Sequence, residues 1–203
     1  LPILKALNSM DEQTKQSIIR LIHREVIPAI GCTEPIAVAL ACAKAAEVLG
    51  DRPERVEVYL SANILKNAMG VGIPGTGMVG LPIAIALGSL IGRSAYGLEV
   101  LKDLSPEGLA AGKAMVERKC ISIALKEQVD KLYIEVVSHR GDEESRVVIS
   151  HAHTHFSYIA RNGEVLYNEE SGASHEELEA DEEIALNFGL VYDFAMQMPL
   201  EEI

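Results

Sequence analysis

Apolar positions near the start of the chain recur at helical spacing. They are Ile18, Ile19, Ile22 and Val26. Ser9–Glu12 has the spacing of a capping box, which predicts a helix that starts there and ends near Pro28–Gly31. A second, alanine-rich helix is predicted over Glu34–Leu49, with Gly50 as its stop signal. Because alanine side chains are small, other helices can approach this helix closely. The pattern therefore predicts a buried central helix.

The middle of the chain predicts short elements around a glycine-rich run. Arg55–Leu60 alternates between apolar and polar residues and is typical of a strand. Asn63–Met69 predicts a short helix that leads directly into the glycine-rich segment Gly70–Gly80. Leu81–Ile91 is expected to form a buried helix. Ser105 and Pro106 are a strong helix start, for a helix that runs to about Lys119.

From Cys120 onward the apolar period changes to two. The predicted strands are Ile121–Leu125, Leu132–Val137, Ser145–Ser150, Phe156–Ala160 and Val165–Tyr167. Asn162-Gly163 is a hairpin signal, so we expect an antiparallel meander. A second capping box, Ser174–Glu177, precedes a closing helix over Ile184–Met198. The fold class is therefore α+β: N-terminal helices packed with an antiparallel β meander and a C-terminal helix, with a soft boundary near residues 92–105.

Composition and charge narrow the classes of function. The 203 residues are 48% hydrophobic, enough for a real core, and 30 acidic against 18 basic residues give a net charge of −12. This acidity argues against binding to nucleic acid or to an anionic membrane. Leu81–Ile91 is too short to span a bilayer. Three cysteines do not make a disulfide framework and Leu1–Ala6 lacks the pattern of a signal peptide, so we expect a cytoplasmic protein.

Cys32 is the first candidate for chemistry. It lies between two predicted helices, in Gly31-Cys32-Thr33-Glu34-Pro35. The positive end of a helix dipole favours thiolate, the form that binds metal or attacks carbon. The alternative is a small buried residue at a tight turn. Glu34 could orient a ligand or act as a base, or it could only complement the helix dipole.

The glycine-rich segment is the second candidate. Gly70-x-Gly72-x-x-Gly75 matches a dinucleotide fingerprint formally, but a short helix precedes it and a proline interrupts it, so we reject that interpretation. Its exposed amides form a carboxylate-binding corner together with neighbouring polar side chains. These are Asn63, Lys66, Asn67 and Thr76. Equally, the glycines could only let the chain pass close to the alanine-rich helix.

Three alternating histidines are the third candidate. On a strand, His151, His153 and His155 share one face, a geometry compatible with zinc or another divalent metal. A polar strand face explains them as well, and one of them could serve as a general base. Cys42 and Cys120 are expected to be core residues.

Two motifs resemble the YhaM-type family of L-cysteine desulfidases, which is related to the α chain of iron–sulfur L-serine dehydratases. One motif is Glu25-Val26-Ile27-Pro28-Ala29-Ile30-Gly31-Cys32-Thr33-Glu34-Pro35. The other runs from Asn63 to Thr76, and the match extends through the histidine pattern to cover the whole chain. The resemblance implies β-elimination from a small amino acid: L-cysteine to pyruvate, ammonia and sulfide, or L-serine to pyruvate and ammonia. It also implies a 4Fe–4S cluster with one open iron, which acts as the Lewis acid.

The resemblance also implies roles for individual residues. Cys32 matches the N-terminal cluster cysteine of the family. The substrate carboxylate is expected at Asn63, Lys66, Asn67, Gly75 and Thr76. The catalytic base is expected to be Glu34 or His153. The other cluster cysteines of the family lie in a C-terminal half, so residues 1–203 are expected to be the N-terminal domain of a longer protein, completed by that half or by a partner chain. Alone, the chain is expected to hold no cluster and to show little activity.

Two other functions remain open at this stage. One is a non-catalytic domain that binds an amino acid at the lysine–glycine corner. The other is a divalent-metal site at the three histidines. A homodimer is also expected, because alanine-rich and glycine-rich helices often pack against other helices.

Overall fold

The computed structural model describes residues 10–169 and 184–203. The chain divides into two compact units, a larger one, Pro28–Gly172, and a smaller one made of Leu1–Ile27 and Ala173–Ile203. Residues 92–105 lie inside the larger unit. No helix among the described residues is long and apolar enough to cross a membrane.

Helices and one large sheet make up the described residues. The helices are α1 (Glu12–Glu25), α2 (Thr33–Leu49), α3 (Ala62–Ala68), α4 (Leu81–Ile91), α5 (Pro106–Glu117) and α6 (Phe188–Gln197), with 3-10 turns at Ser94–Glu99 and Leu200–Glu202. The strands are β1 (Arg55–Leu60), β2 (Gly72–Ile73), β3 (Met78–Val79), β4 (Ile121–Leu125), β5 (Tyr133–Arg140), β6 (Glu143–Ser150), β7 (Phe156–Arg161) and β8 (Glu164–Asn168). This confirms the predicted α+β class.

The smaller unit is built on α1 and α6, which share a small apolar cluster around Ile18, Ile19 and Phe194. The Asp11 side chain caps α1 by accepting the backbone N–H of Thr14 at 2.8 Å. The predicted capping box, with Ser9 as the cap, is therefore wrong, since Asp11 is the N-cap residue of α1. The sequence has two residue types that favour N-caps close together, and the pattern alone does not choose between them.

The closing helix is shorter than predicted. It begins at Phe188, where the Asn187 side chain accepts the backbone N–H of Leu190, and residues 184–187 before it are not helical. An internal asparagine cap therefore overrides the apolar residues upstream of it. The capping box at Ser174–Glu177 lies outside the described residues.

The large sheet has the strand order β4-β1-β5-β6-β7-β8. Consecutive strands from β5 to β8 are antiparallel, and β1 is antiparallel to β5. The prediction that β4 belongs to the antiparallel meander is wrong, since β4 pairs in parallel with β1 at the sheet edge. The chain between them passes through α3, α4 and α5, and such a long crossover is what a parallel pair requires.

The core lies between one face of this sheet and α2. The Ser145 hydroxyl on β6 donates to the Ala45 carbonyl of α2 at 2.7 Å, which fixes the helix on the sheet. A Cβ on Gly88 of α4 would lie 2.3 Å from the Ala39 carbonyl oxygen, so α4 approaches the α2 backbone directly. The predicted buried, alanine-rich central helix is confirmed.

Candidate functional site

The two motifs meet at the beginning of α2. Cys32 is the N-cap residue of α2 and its side chain caps no backbone N–H. Gly31 has a φ of +95°, and a Cβ there would lie 2.8 Å from Cγ of Pro74 in the glycine-rich segment. Only glycine satisfies both the backbone conformation and this close approach. The cysteine motif and the glycine-rich segment are therefore in direct contact.

Glu34 is the centre of the polar contacts at this point. Its Oε2 accepts hydrogen bonds from the Cys32 thiol at 3.0 Å and from the Thr33 hydroxyl at 3.2 Å. Its Oε1 accepts a hydrogen bond from Asn67 Nδ2 of α3 at 3.2 Å. One carboxylate thus joins three donors and two helices.

This geometry changes the expected state of the thiol. The hydrogen bond to the Glu34 carboxylate, together with partial burial, raises the pKa of Cys32 above its ordinary value. The same hydrogen bond, supported by those from Asn67 and Thr33, lowers the pKa of Glu34 although partial burial opposes this. The prediction that the helix terminus favours thiolate is therefore wrong for this arrangement, because a carboxylate adjoins the sulfur.

Asn63, Lys66 and Asn67 lie on the exposed face of α3, while Ile64 and Ala68 are buried beneath it. The spacing of three and four residues places all three polar side chains on one side of the helix. Within the described residues, Lys66 and Asn63 make no hydrogen bond or ion pair, whereas Asn67 is held by Glu34. The predicted carboxylate-binding residues on α3 therefore lie on one side of the helix, and one of them, Asn67, is joined to Glu34.

The glycine-rich segment forms a hairpin of β2 and β3. Thr76 in its turn is buried, and its hydroxyl donates to the Ile73 carbonyl at 2.6 Å and accepts the Met78 N–H at 2.9 Å. Its hydroxyl is thus engaged within the hairpin. Gly75, with a φ of +76°, packs against Leu104 and lines an open cleft of about 460 Å³ with Ile30.

The three histidines do not lie on a strand, so they do not share a strand face. β6 ends at Ser150 and β7 begins at Phe156, and the histidines occupy the turn between them. His151, at a φ of +67°, and His155 have ring centroids 5.9 Å apart. Among the described residues no hydrogen bond or ion pair joins His153 to Glu34.

The described residues do not provide the ligands for a 4Fe–4S cluster. Such clusters are held by several thiolates, and Cys32 is the only cysteine at this site. Cys42 is fully buried inside α2, where burial raises its pKa to about 12, and Cys120 precedes β4. Across residues 10–169 and 184–203, no group of three or more histidine, cysteine or acidic side chains could hold a metal ion.

One charged cluster was missed from the sequence. Glu135 on β5 is only 2% exposed and pairs with Arg146 of β6 and Lys126, and it accepts a hydrogen bond from Tyr133 at 2.9 Å. The sequence feature that could have indicated this cluster is the tight turn between β5 and β6. That turn sets the register of the two strands, which brings Arg146 close to Glu135.

The chain is similar to a group of bacterial proteins. No family model and no solved structure matches it. It is 69% identical over 195 residues to a UPF0597 protein of Parabacteroides distasonis, covering 96% of this chain and 45% of that protein. It is 58% identical over 195 residues to a UPF0597 protein of Bacteroides fragilis, and 45% identical over 187 residues to one of Chromobacterium violaceum, covering 96% and 91% of this chain. These matches cover 45% and 43% of the two relatives, so the chain spans somewhat under half the length of the curated relatives it matches.

Proposed function

We propose that this chain carries the amino-acid-binding part of a lyase that eliminates the β substituent of L-cysteine or L-serine. The observation that carries the proposal is the Glu34 carboxylate, shared by Cys32 and Asn67 and placed beside the face of α3 that carries Lys66. This combination of groups matches an amino-acid substrate. A cation and amides can bind the substrate carboxylate, and a carboxylate can accept the α-proton. The resemblance to the YhaM-type family favours the same reaction.

The residues divide the chemistry between binding and proton transfer. Lys66 and Asn63 have donors to offer the substrate carboxylate, and the Gly75 turn lies on the neighbouring segment. Glu34 is ionised at neutral pH, since its pKa is lowered, and can accept the α-proton at one carboxylate oxygen. Loss of the α-proton and of sulfide from cysteine leaves an enamine, which water converts to pyruvate and ammonia. His153 was the other expected base, and Glu34 is preferred because of its contacts.

The 4Fe–4S cluster implied by the resemblance does not fit the described residues, so no step is assigned to it here. Cys32 is the single thiol that this site offers, and the other ligands of a cluster would have to come from the remaining half of a longer polypeptide or from a partner chain. A cytoplasmic location is part of the proposal, since three cysteines do not make a disulfide framework. A homodimer remains part of the proposal.

Substrate binding can be measured on the 203-residue chain. A ligand at ten times its dissociation constant stabilises the folded state by about 1.4 kcal/mol, which raises the melting temperature by roughly 3 °C in a protein of this size. We expect L-cysteine or L-serine to do so, and Lys66→Met to abolish the shift. Lys113→Met, at an exposed lysine of α5, is the matched control and should leave it unchanged.

Catalysis is tested on the longer natural protein, reconstituted under anaerobic conditions with iron and sulfide. Release of sulfide from L-cysteine or of pyruvate from L-serine is expected, and Glu34→Gln should abolish it. If neither product forms, the lyase proposal is wrong.

A non-catalytic amino-acid-binding domain is the second candidate, favoured by Lys66 on α3, which pairs with no other group among the described residues. It predicts the same thermal shift in the chain and no turnover in the longer protein, with binding retained in Cys32→Ala.

A further inference from the structure

A second cleft opens on the face of the large sheet that turns away from α2. Val136 of β5 and Val147 of β6 face α2, whereas the alternate residues Glu135 and Arg146 face the other way. The cleft has a volume of about 460 Å³, and Tyr133, Val148 and Tyr158 are among the residues that line it. None of the residues assigned above to the Cys32–Glu34 site lines this cleft.

One side of the cleft is basic. Arg146 pairs with the buried Glu135, and its guanidinium lies 5.8 Å from the ring centroid of Tyr158. The Arg146 side chain remains 44% exposed, and Glu135 is its only ion-pair partner among the described residues. An arginine has five N–H donors in a planar fork, so Arg146 keeps donors for a carboxylate ligand.

The other side of the cleft is acidic. Asp130 and Glu169 line it, and their side chains are 58% and 41% exposed. His151 lies between them, with Nδ1 3.4 Å from the Asp130 carboxylate and Nε2 3.9 Å from that of Glu169. Two half-exposed carboxylates of this kind attract a cationic group and repel a polyanion such as phosphate.

Charge and spacing together select the ligand class. Two basic side chains, Lys126 and Arg146, stand against the three carboxylates of Glu135, Asp130 and Glu169, which leaves one net negative charge. A ligand with one carboxylate and two ammonium groups carries the complementary single positive charge.

The basic and acidic sides of the cleft lie at different positions along the chain of β6. The guanidinium lies at the level of Val148, because Glu135 and Tyr158 both pair with that residue. His151, which lies within 4 Å of both carboxylates, is three residues further along the chain, in the turn that follows β6. The carboxylate and the distal ammonium of lysine lie several ångströms apart, whereas the α-carboxylate and α-ammonium of any amino acid are neighbours.

We propose that this cleft binds a free basic amino acid, with its carboxylate on Arg146 and its side-chain cation on Asp130 and Glu169. The aliphatic chain lies along Val148 and the Tyr158 ring. The site is distinct from the one assigned to the lyase reaction and does not depend on it.

Calorimetric titration of the 203-residue chain with L-lysine tests the proposal. Saturable binding with one site per chain is expected. Losing one charge-assisted contact weakens binding by at least about tenfold. Arg146→Gln and Glu169→Gln should therefore each weaken lysine binding by at least about that factor. Arg161→Gln, at a surface arginine of β7 paired with Glu143, and Glu164→Gln on β8 are matched controls that should bind normally. Glu169 is exposed, so its variant tests the site without disturbing the buried Glu135.

Ligand analogues separate the two halves of the site. Norleucine lacks the distal ammonium and cadaverine lacks the carboxylate, so both should bind at least about tenfold more weakly than L-lysine. Equal binding of cadaverine and lysine would show a non-selective acidic surface and overturn the proposal. So would an absence of saturable lysine binding up to about 10 mM, or lysine binding that both variants leave unchanged.

Discussion

The shared proton of Cys32 and Glu34 gives the sharpest test of the candidate site. The thiol donates to the carboxylate at 3.0 Å, and this contact is the main reason why the pKa of Cys32 lies above its ordinary value. Glu34→Gln keeps the size of the side chain and removes its charge. We therefore expect the variant to ionise its thiol more readily at any given pH.

The magnitude follows from the kind of hydrogen bond that is lost. A hydrogen bond to a charged group contributes roughly 1.5 to 3 kcal/mol. Cys32 and Glu34 are both partly exposed, and solvent screening places the effect near the lower end of that range. About 1.4 kcal/mol corresponds to a tenfold change in an equilibrium constant. The thiolate population of Cys32 near neutral pH should rise by about that factor.

Alkylation by iodoacetamide measures the thiolate population, because only the thiolate reacts. Peptide-resolved mass spectrometry follows Cys32 separately from Cys42 and Cys120 across a range of pH. Glu99→Gln removes one negative charge at an exposed residue that pairs with Lys102, and it serves as the control for net charge. Identical alkylation profiles for Glu34→Gln and the parent chain would refute the Cys32–Glu34 contact and the corrected charge state of the thiol.

Three further predictions concern stability, each measured by urea unfolding. Gly31→Ala should lower the free energy of unfolding by roughly 1 to 3 kcal/mol, because of its positive φ and the contact with Pro74, whereas Gly70→Ala, with nothing within 4 Å, should not. Burial disfavours the ionised form of Glu135, but its hydrogen bonds and basic neighbours outweigh burial and lower its pKa below the ordinary value of 4.5. The ionised carboxylate therefore stabilises the fold at pH values above 4.5. That stability is lost as the pH falls through the lowered pKa, and Glu135→Gln should flatten the acid dependence of the free energy of unfolding below pH 4.5. Ser145→Ala removes the hydroxyl that donates to the Ala45 carbonyl of α2 and should cost about 1 kcal/mol.

Local pattern was enough to predict most elements of the fold. Arg55–Leu60 and Leu81–Ile91 have the predicted bounds, since a strict period of two and a continuous apolar run leave few alternatives. The parallel partner of β1 could not be predicted in the same way. The pattern of Ile121–Leu125 is the same whether its neighbour runs parallel or antiparallel, and strand order depends on how the intervening helices pack.

The candidate site was predictable in its residues but not in its charge state. The motifs placed Cys32, Glu34 and Asn67 on neighbouring segments, and the structure joins them through one carboxylate. The helix dipole alone predicts a thiolate, but a carboxylate within hydrogen-bonding distance exerts a stronger and opposite effect. Which of the two prevails depends on the rotamers of both side chains, and these are absent from a sequence pattern.

The histidines show that alternate spacing aligns side chains only where the backbone is a strand. Histidines at every second position imitate a strand face, but the backbone between Ser150 and Phe156 folds back on itself. Ser150 N–H donates to the His155 carbonyl at 3.2 Å, and the Ala152 N–H donates to the Ser150 carbonyl at 2.8 Å. A turn of this kind does not align the three imidazoles as a strand would. Two of them instead approach carboxylates, and the Glu169 carboxylate lies within 4 Å of both His151 and His155. The turn therefore places His151 between Asp130 and Glu169, at the acidic end of the second cleft.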